Sequence, residues 1–127
     1  MKSIIYSPHA PAPIGPYSQA VTVGNLVFVS GQIALDPASG NMYAGKDITE
    51  ETKRVMENLK AIILESGCAM NNVVKCTIFL SDMELFSAVN AVYGSYFPEY
   101  PPARETVAAS GLPRNAHVEI SAVVYRM

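Results

Sequence analysis

Residues 73–80 read Val73-Val74-Lys75-Cys76-Thr77-Ile78-Phe79-Leu80, with turn residues Asn71-Asn72 before them and Ser81-Asp82 after them. A run so rich in β-branched and aromatic side chains, bounded in this way, is a strand. Its apolar residues do not keep to one side. Val74, Cys76, Ile78 and Leu80 alternate with Val73, Thr77 and Phe79, so both faces are expected to be apolar. The run His117 to Tyr125 repeats the pattern, with Val118, Ile120, Ala122 and Val124 opposed by Val123 and Tyr125. A sheet of such strands needs cover on both faces.

Working outward, the segment after Asp47-Ile48-Thr49-Glu50, which has the spacing of a capping box, predicts a helix from Asp47 or Thr49 to about Ser66, stopped by Gly67. Ile48, Thr52, Val55, Met56, Leu59, Ile62 and Ile63 form its buried stripe, while Glu51, Lys53, Arg54, Glu57 and Lys60 face elsewhere. A second box, Ser81-Asp82-Met83-Glu84, starts a helix that Pro98 ends, with Leu85, Phe86, Val89, Val92, Tyr93, Tyr96 and Phe97 on one side. Earlier in the chain, Val21-Thr22-Val23, the turn Gly24-Asn25 and Leu26 to Gly31 predict a hairpin, and Asp36 to Asn41 is a turn cluster. A further strand runs from about Ala103 to Ala109. Pro8, Pro11, Pro13, Gly15 and Pro16 make the first twenty residues a stiff, extended arm. The expected order is β-β-α-β-α-β-β, an α+β fold in one domain spanning residues 1–127, with two helices on one face of the sheet. The other face then meets a second subunit, unless the short arm folds across it.

Composition supports association. Half of the residues are hydrophobic and 16% are charged, against the roughly 25% that is usual. The formal net charge of −2 and an isoelectric point near 5.6 leave no basic footprint for a phosphate backbone or an anionic lipid surface, so no nucleic-acid partner is expected. No apolar stretch is long enough for a spanning helix, and the N-terminus lacks a secretory leader; a cytoplasmic protein with no membrane contact is expected. Cys68 and Cys76 read as reduced thiols. His9 and His117 lack ligand-spaced neighbours, which points to solvated or satisfied histidines and to no metal.

Three polar side chains sit oddly for structural roles. Arg104 follows the rigid turn Pro101-Pro102-Ala103 and would present a planar fork of donors to a carboxylate or phosphate, or make an ordinary salt bridge. Glu119 lies inside the last strand, opposite Val118 and Ile120, and so points to the face assigned to the subunit contact. Partial burial there would raise its pKa and suit it to handle a water proton; an interface salt bridge is the plainer reading. Asn90 lies among Phe86, Val89, Tyr93 and Phe97, where a buried amide is expected to brace neighbouring backbone. Tyr17 either packs or closes a pocket. Glycine-rich phosphate loops, serine elbows and Cys-His pairs are absent.

Several of these segments, in order, resemble the Rid family of reactive-intermediate (enamine/imine) deaminases, also called the YjgF family. The matching runs are Ala12-Pro13-Ile14-Gly15-Pro16-Tyr17-Ser18-Gln19-Ala20, Val29-Ser30-Gly31-Gln32-Ile33, Val89-Asn90-Ala91-Val92-Tyr93, Pro102-Ala103-Arg104, Leu112-Pro113 and Val118-Glu119-Ile120. The resemblance implies a chorismate-mutase-like fold in a homotrimer with clefts between subunits. It also implies hydrolysis of 2-aminoacrylate and 2-aminocrotonate, or their imine tautomers, to 2-keto acids and ammonia. Those reactive substrates are released by pyridoxal-phosphate enzymes, and the family's role is metabolite damage control. On this resemblance Arg104 grips the substrate carboxylate and Glu119 positions water, while Tyr17, Ser30, Gly31, Asn90 and Thr106 line or support the cleft. Hydrolysis of an electrophilic imine carbon asks for an anchor, a water and a proton relay, with no cofactor.

The chain departs from the family near the anchor. Thr106 stands where many members carry cysteine, Glu105 where serine is frequent, and Ala108 replaces a common acidic residue. Glu105, as a strand neighbour of Arg104, is expected to point to the opposite face. Two other functions are weighed against the deaminase: an RNA-directed ribonuclease or translation inhibitor, and a non-catalytic module that binds a small carboxylate.

Overall fold

A computed structural model describes residues 1–127. Its strands are β1 (Ser3–Ile5), β2 (Ala20–Val23), β3 (Leu26–Gln32), β4 (Val73–Leu80), β5 (Ala103–Ala108) and β6 (Val118–Tyr125); its helices are α1 (Ile48–Glu65) and α2 (Phe86–Ser95). The expected elements are present in the expected order, with one addition. Edge strand β1 pairs antiparallel with β2, Ile4 opposite Val21. Three residues at the head of a proline-rich arm carry too little pattern to be read from sequence.

The sheet order is β1-β2-β3-β6-β4-β5, so the last strand in sequence is central. Every pairing is antiparallel except β4 with β5, which is parallel because α2 carries the chain back across the sheet. The β2–β3 turn falls on Gly24-Asn25, where Gly24 takes φ 57°, a region open to glycine at no steric cost.

α1 and α2 pack on one face. Val27 and Val29 of β3, Cys76, Ile78 and Leu80 of β4, and Val118, Ile120, Ala122 and Val124 of β6 are buried beneath them. Met56, Leu59, Ile62 and Ile63 of α1 are fully buried against that face, each contributing about 1.5–3 kcal/mol of transfer free energy. The opposite face is bare. Ile4, Val23, Phe28, Phe79, Val107 and Tyr125 remain exposed with the N-terminal arm in place, so the arm is not the cover of this face. No helix is long and apolar enough to cross a membrane.

The structure corrects three details. Val73, not Val74, joins Cys76 in the core: the register on β6 shifts between Val73 and Lys75, and this bulge turns Val74 outward. Glu51 does not face solvent. It is 2% exposed, and its carboxylate accepts the His117 backbone N–H at 2.8 Å and meets the ring Nδ1 at 2.9 Å, which also makes His117 a satisfied histidine. Periodicity along α1 cannot reveal a partner 66 residues away. Finally, α2 begins at Phe86 rather than Ser81. The Ser81 N–H is held by the His117 carbonyl at 3.0 Å, so Asp82 instead accepts from Glu84 N–H at 2.8 Å and caps a short 3-10 turn that precedes the helix.

Buried amides fasten the connections. The Asn58 side chain donates to the carbonyls of Ile33 and Leu35 at 3.1 and 2.9 Å, tying the chain after β3 to α1. The Gln19 side chain accepts the Ser7 N–H at 2.6 Å and donates to the carbonyls of Ser7 and Pro11 at 3.1 and 2.8 Å. These bonds supply partners for backbone that no strand or helix pairs, and they hold the arm beside the end of β3.

Candidate active site

The candidate residues fall into two groups. Tyr17, Ser30, Gly31 and Glu119 surround a cavity of about 490 Å³, walled also by Ile14 and Pro113. The arm that Gln19 fastens brings Tyr17 there, and the Tyr17 hydroxyl accepts the Ile14 N–H at 3.3 Å. Ser30 is fixed by its side chain, which donates to the Ser18 carbonyl at 2.6 Å, and by its N–H on the Gln19 carbonyl at 2.9 Å. Gly31 is required by contact rather than by φ: a Cβ at this position would run into the Glu119 carboxylate and lie 2.9 Å from its Cδ. Glu119 is partly buried and no cation pairs with it. Desolvation pushes its carboxyl above the ordinary glutamate range, as the sequence suggested.

Arg104, Asn90 and Thr106 form the second group, at the β5 edge. Arg104 pairs in register with buried Cys76 and projects to the helix side, where its guanidinium lies 5.0 Å from the centre of the Tyr93 ring and 5.6 Å from that of Phe86. Its Nη1 donates to Asn90 Oδ1 at 2.6 Å. Asn90 is therefore corrected: it is exposed and holds the arginine, because its stripe on α2 meets the end of the sheet where β5 leaves the core open. Thr106 sits two residues further on the same face, its Oγ1 buried and without a partner. Glu105 points to the other face as expected, bonding Lys75 at 3.1 Å and Thr77 at 3.0 Å. Those contacts hold its carboxyl below the ordinary range.

Sequence reading missed Phe86 and Tyr93, which it counted as core stripe. The signal was present in the spacing: Phe86, Asn90 and Tyr93 stand four and three apart, so they share one helical face with Asn90 between the two rings.

One chain does not unite the groups. Arg104 is on the helix side of the sheet, and Glu119, opposite Phe79 in register, is on the bare side. Chemically, the first group offers a poised carboxylate beside a cavity. The second offers a guanidinium with one N–H spent on Asn90 and others free for a carboxylate fork.

The sequence model of the Endoribonuclease L-PSP family matches residues 7–126. The chain belongs to this family, the Rid or YjgF family. Among its relatives, a RutC family protein of Pyrococcus abyssi is 50% identical over 98% of both chains. The mouse protein named 2-iminobutanoate/2-iminopropanoate deaminase is 45% identical over 97% of this chain and 90% of its own. Among solved structures, the Rid family protein YyfA of Yersinia pestis superposes with a TM-score of 0.95 at 39% identity, over 98% of this chain and 99% of that one. TdcF of Escherichia coli, solved with bound serine, gives 0.93 at 34% identity over the same shares. In this Rid-family chain the segments that carried the resemblance are those that build the two groups: the arm and the start of β3 around Glu119, and the α2 phrase beside Arg104.

Proposed function

We propose that the protein hydrolyses 2-imino acids, formed from 2-aminoacrylate and 2-aminocrotonate, to 2-keto acids and ammonia, in sites completed between copies of a homotrimer. The observation that carries this reading is the split of the site. An arginine fork with free donors and a desolvated carboxylate beside a cavity lie on opposite sides of the sheet, and the side bearing the carboxylate is bare and apolar. A second copy seated on that face would bury Phe28, Phe79, Val107 and Tyr125 and could bring its own Arg104 edge to the Glu119 cavity. The mouse relative's name supports the reaction, and the serine bound to TdcF, an amino acid with a free carboxylate, supports the ligand class.

In this reading the enamine first takes a proton at C3 to give the protonated imine. Arg104 holds the substrate carboxylate, which sets C2 toward the Glu119 side. Glu119, with its pKa raised by desolvation, accepts a proton from water as oxygen attacks C2, so the C=N double bond becomes a single bond in a carbinolamine. The proton returns to nitrogen, ammonia leaves, and the remaining hydroxyl proton is released as the C=O bond forms. Substrates would come from pyridoxal-phosphate enzymes that eliminate water from serine or threonine.

The test is a threonine dehydratase reaction followed by keto-acid release. Added protein should speed release, and Arg104→Ala should abolish the effect while its mass in solution is unchanged. Absence of acceleration by the unaltered protein would overturn the proposal. It would leave the alternatives to be tested in turn: carboxylate binding without turnover, or binding of RNA with a steep salt dependence.

A further inference from the structure

Arg104 is an exposed, long side chain at a sheet edge, a setting in which a guanidinium ordinarily samples many rotamers. Here it is held from three directions by one face of α2. Asn90 Oδ1 takes one Nη, the Tyr93 ring lies under the guanidinium at 5.0 Å, and the Phe86 ring flanks it at 5.6 Å. The Tyr93 ring is itself buttressed, packing on buried Phe97 with centroids 4.9 Å apart and planes inclined at 50°.

The hydroxyl of Tyr93 is buried and faces the buried thiol of Cys76, a weak hydrogen-bond partner. What Tyr93 presents to the cation is its ring face, not its hydroxyl.

We infer that Tyr93 is a positioning residue for substrate capture, its ring, with that of Phe86, fixing the plane of the Arg104 guanidinium so that the free donors meet a carboxylate already aligned. Attraction between the cation and the ring face supplies the hold, and Asn90 supplies the direction. The inference rests on the reading of Arg104 as carboxylate anchor and adds to it a residue on another element. The ring is the working part and the hydroxyl is dispensable.

The experiment titrates the full protein with 2-oxobutanoate, the stable keto-acid product, by calorimetry, and records thermal unfolding for each variant. Tyr93→Leu should weaken binding about tenfold, the loss of roughly one well-placed cation–ring contact. Tyr93→Phe should bind as the unaltered protein does and melt no lower. Val92→Ala, at a buried position on α2 outside the three- and four-residue rows that link Phe86, Asn90 and Tyr93, should melt lower yet bind normally, which separates positioning from general loosening of the helix. Binding within twofold of normal in Tyr93→Leu, or equal weakening in Val92→Ala, would overturn the inference. Should Tyr93→Leu fail to fold, Phe86→Leu at its half-buried site takes its place, with a severalfold loss expected and no change counting against the idea. Arg104→Ala separates the two levels. If it retains affinity, the anchor reading itself is wrong; if it loses affinity while Tyr93→Leu keeps it, only the positioning role falls.

Discussion

Arg104 and Glu119 project from opposite faces of the same sheet. Arg104 stands in register with buried Cys76 and Glu119 with exposed Phe79, three residues along β4, and an odd offset on a pleated strand reverses the face. No side-chain rotation brings the two together in one chain. A reaction that uses both must draw them from two copies.

Mixed assemblies test this directly. Arg104→Ala and Glu119→Gln should each be inactive alone. Refolded together at equal ratio, they should recover about a quarter of normal turnover, because one interface in four then pairs an intact arginine with an intact glutamate. Recovery is read as keto-acid release, and none is expected if both residues act within one chain.

At Gly31 the Glu119 carboxylate occupies the space a Cβ would need. Gly31→Ala should displace the carboxylate and lower kcat by more than tenfold. The melting temperature should shift little, since the displaced group is the end of a flexible side chain.

The raised pKa of Glu119 makes both activity and stability depend on pH. As a base it works when deprotonated, so kcat should fall on the acid side with a midpoint above the unperturbed value of 4.5. For stability, a carboxyl that is harder to ionise folded than unfolded contributes fully below its unfolded pKa and loses that contribution as pH rises through the folded one. Glu119→Gln should therefore gain in melting temperature relative to the unaltered protein as pH is raised from about 4 to neutrality. A constant difference across that range would mean that desolvation is not the cause of the shift.

Gln19→Leu removes the clip on the N-terminal arm, leaving the Ser7 N–H and the Pro11 carbonyl without their partners. A loss of about 3 kcal/mol in urea unfolding is expected. Limited proteolysis should cut earlier within the first residues, and activity should fall because Tyr17 and Pro11 wall the Glu119 cavity.

Local periodicity determined most of the elements. The alternation of Val118 to Val124 already placed Glu119 away from the helices, the stripe from Thr52 to Ile63 set the buried side of α1, and Gly24-Asn25 marked the hairpin turn, because each of these depends on residues close in sequence. The apolar character of both sheet faces was likewise legible. Four other features depended on contacts between distant segments, which a one-dimensional pattern does not contain. Val74 turns outward at a bulge against β6, Glu51 is buried by His117, and Asn90 was drawn from backbone support to the arginine by the start of β5. Above all, the parallel register of β5 on β4 decided that Arg104 and Glu119 face apart, which the chain could not state until both strands had found their neighbours.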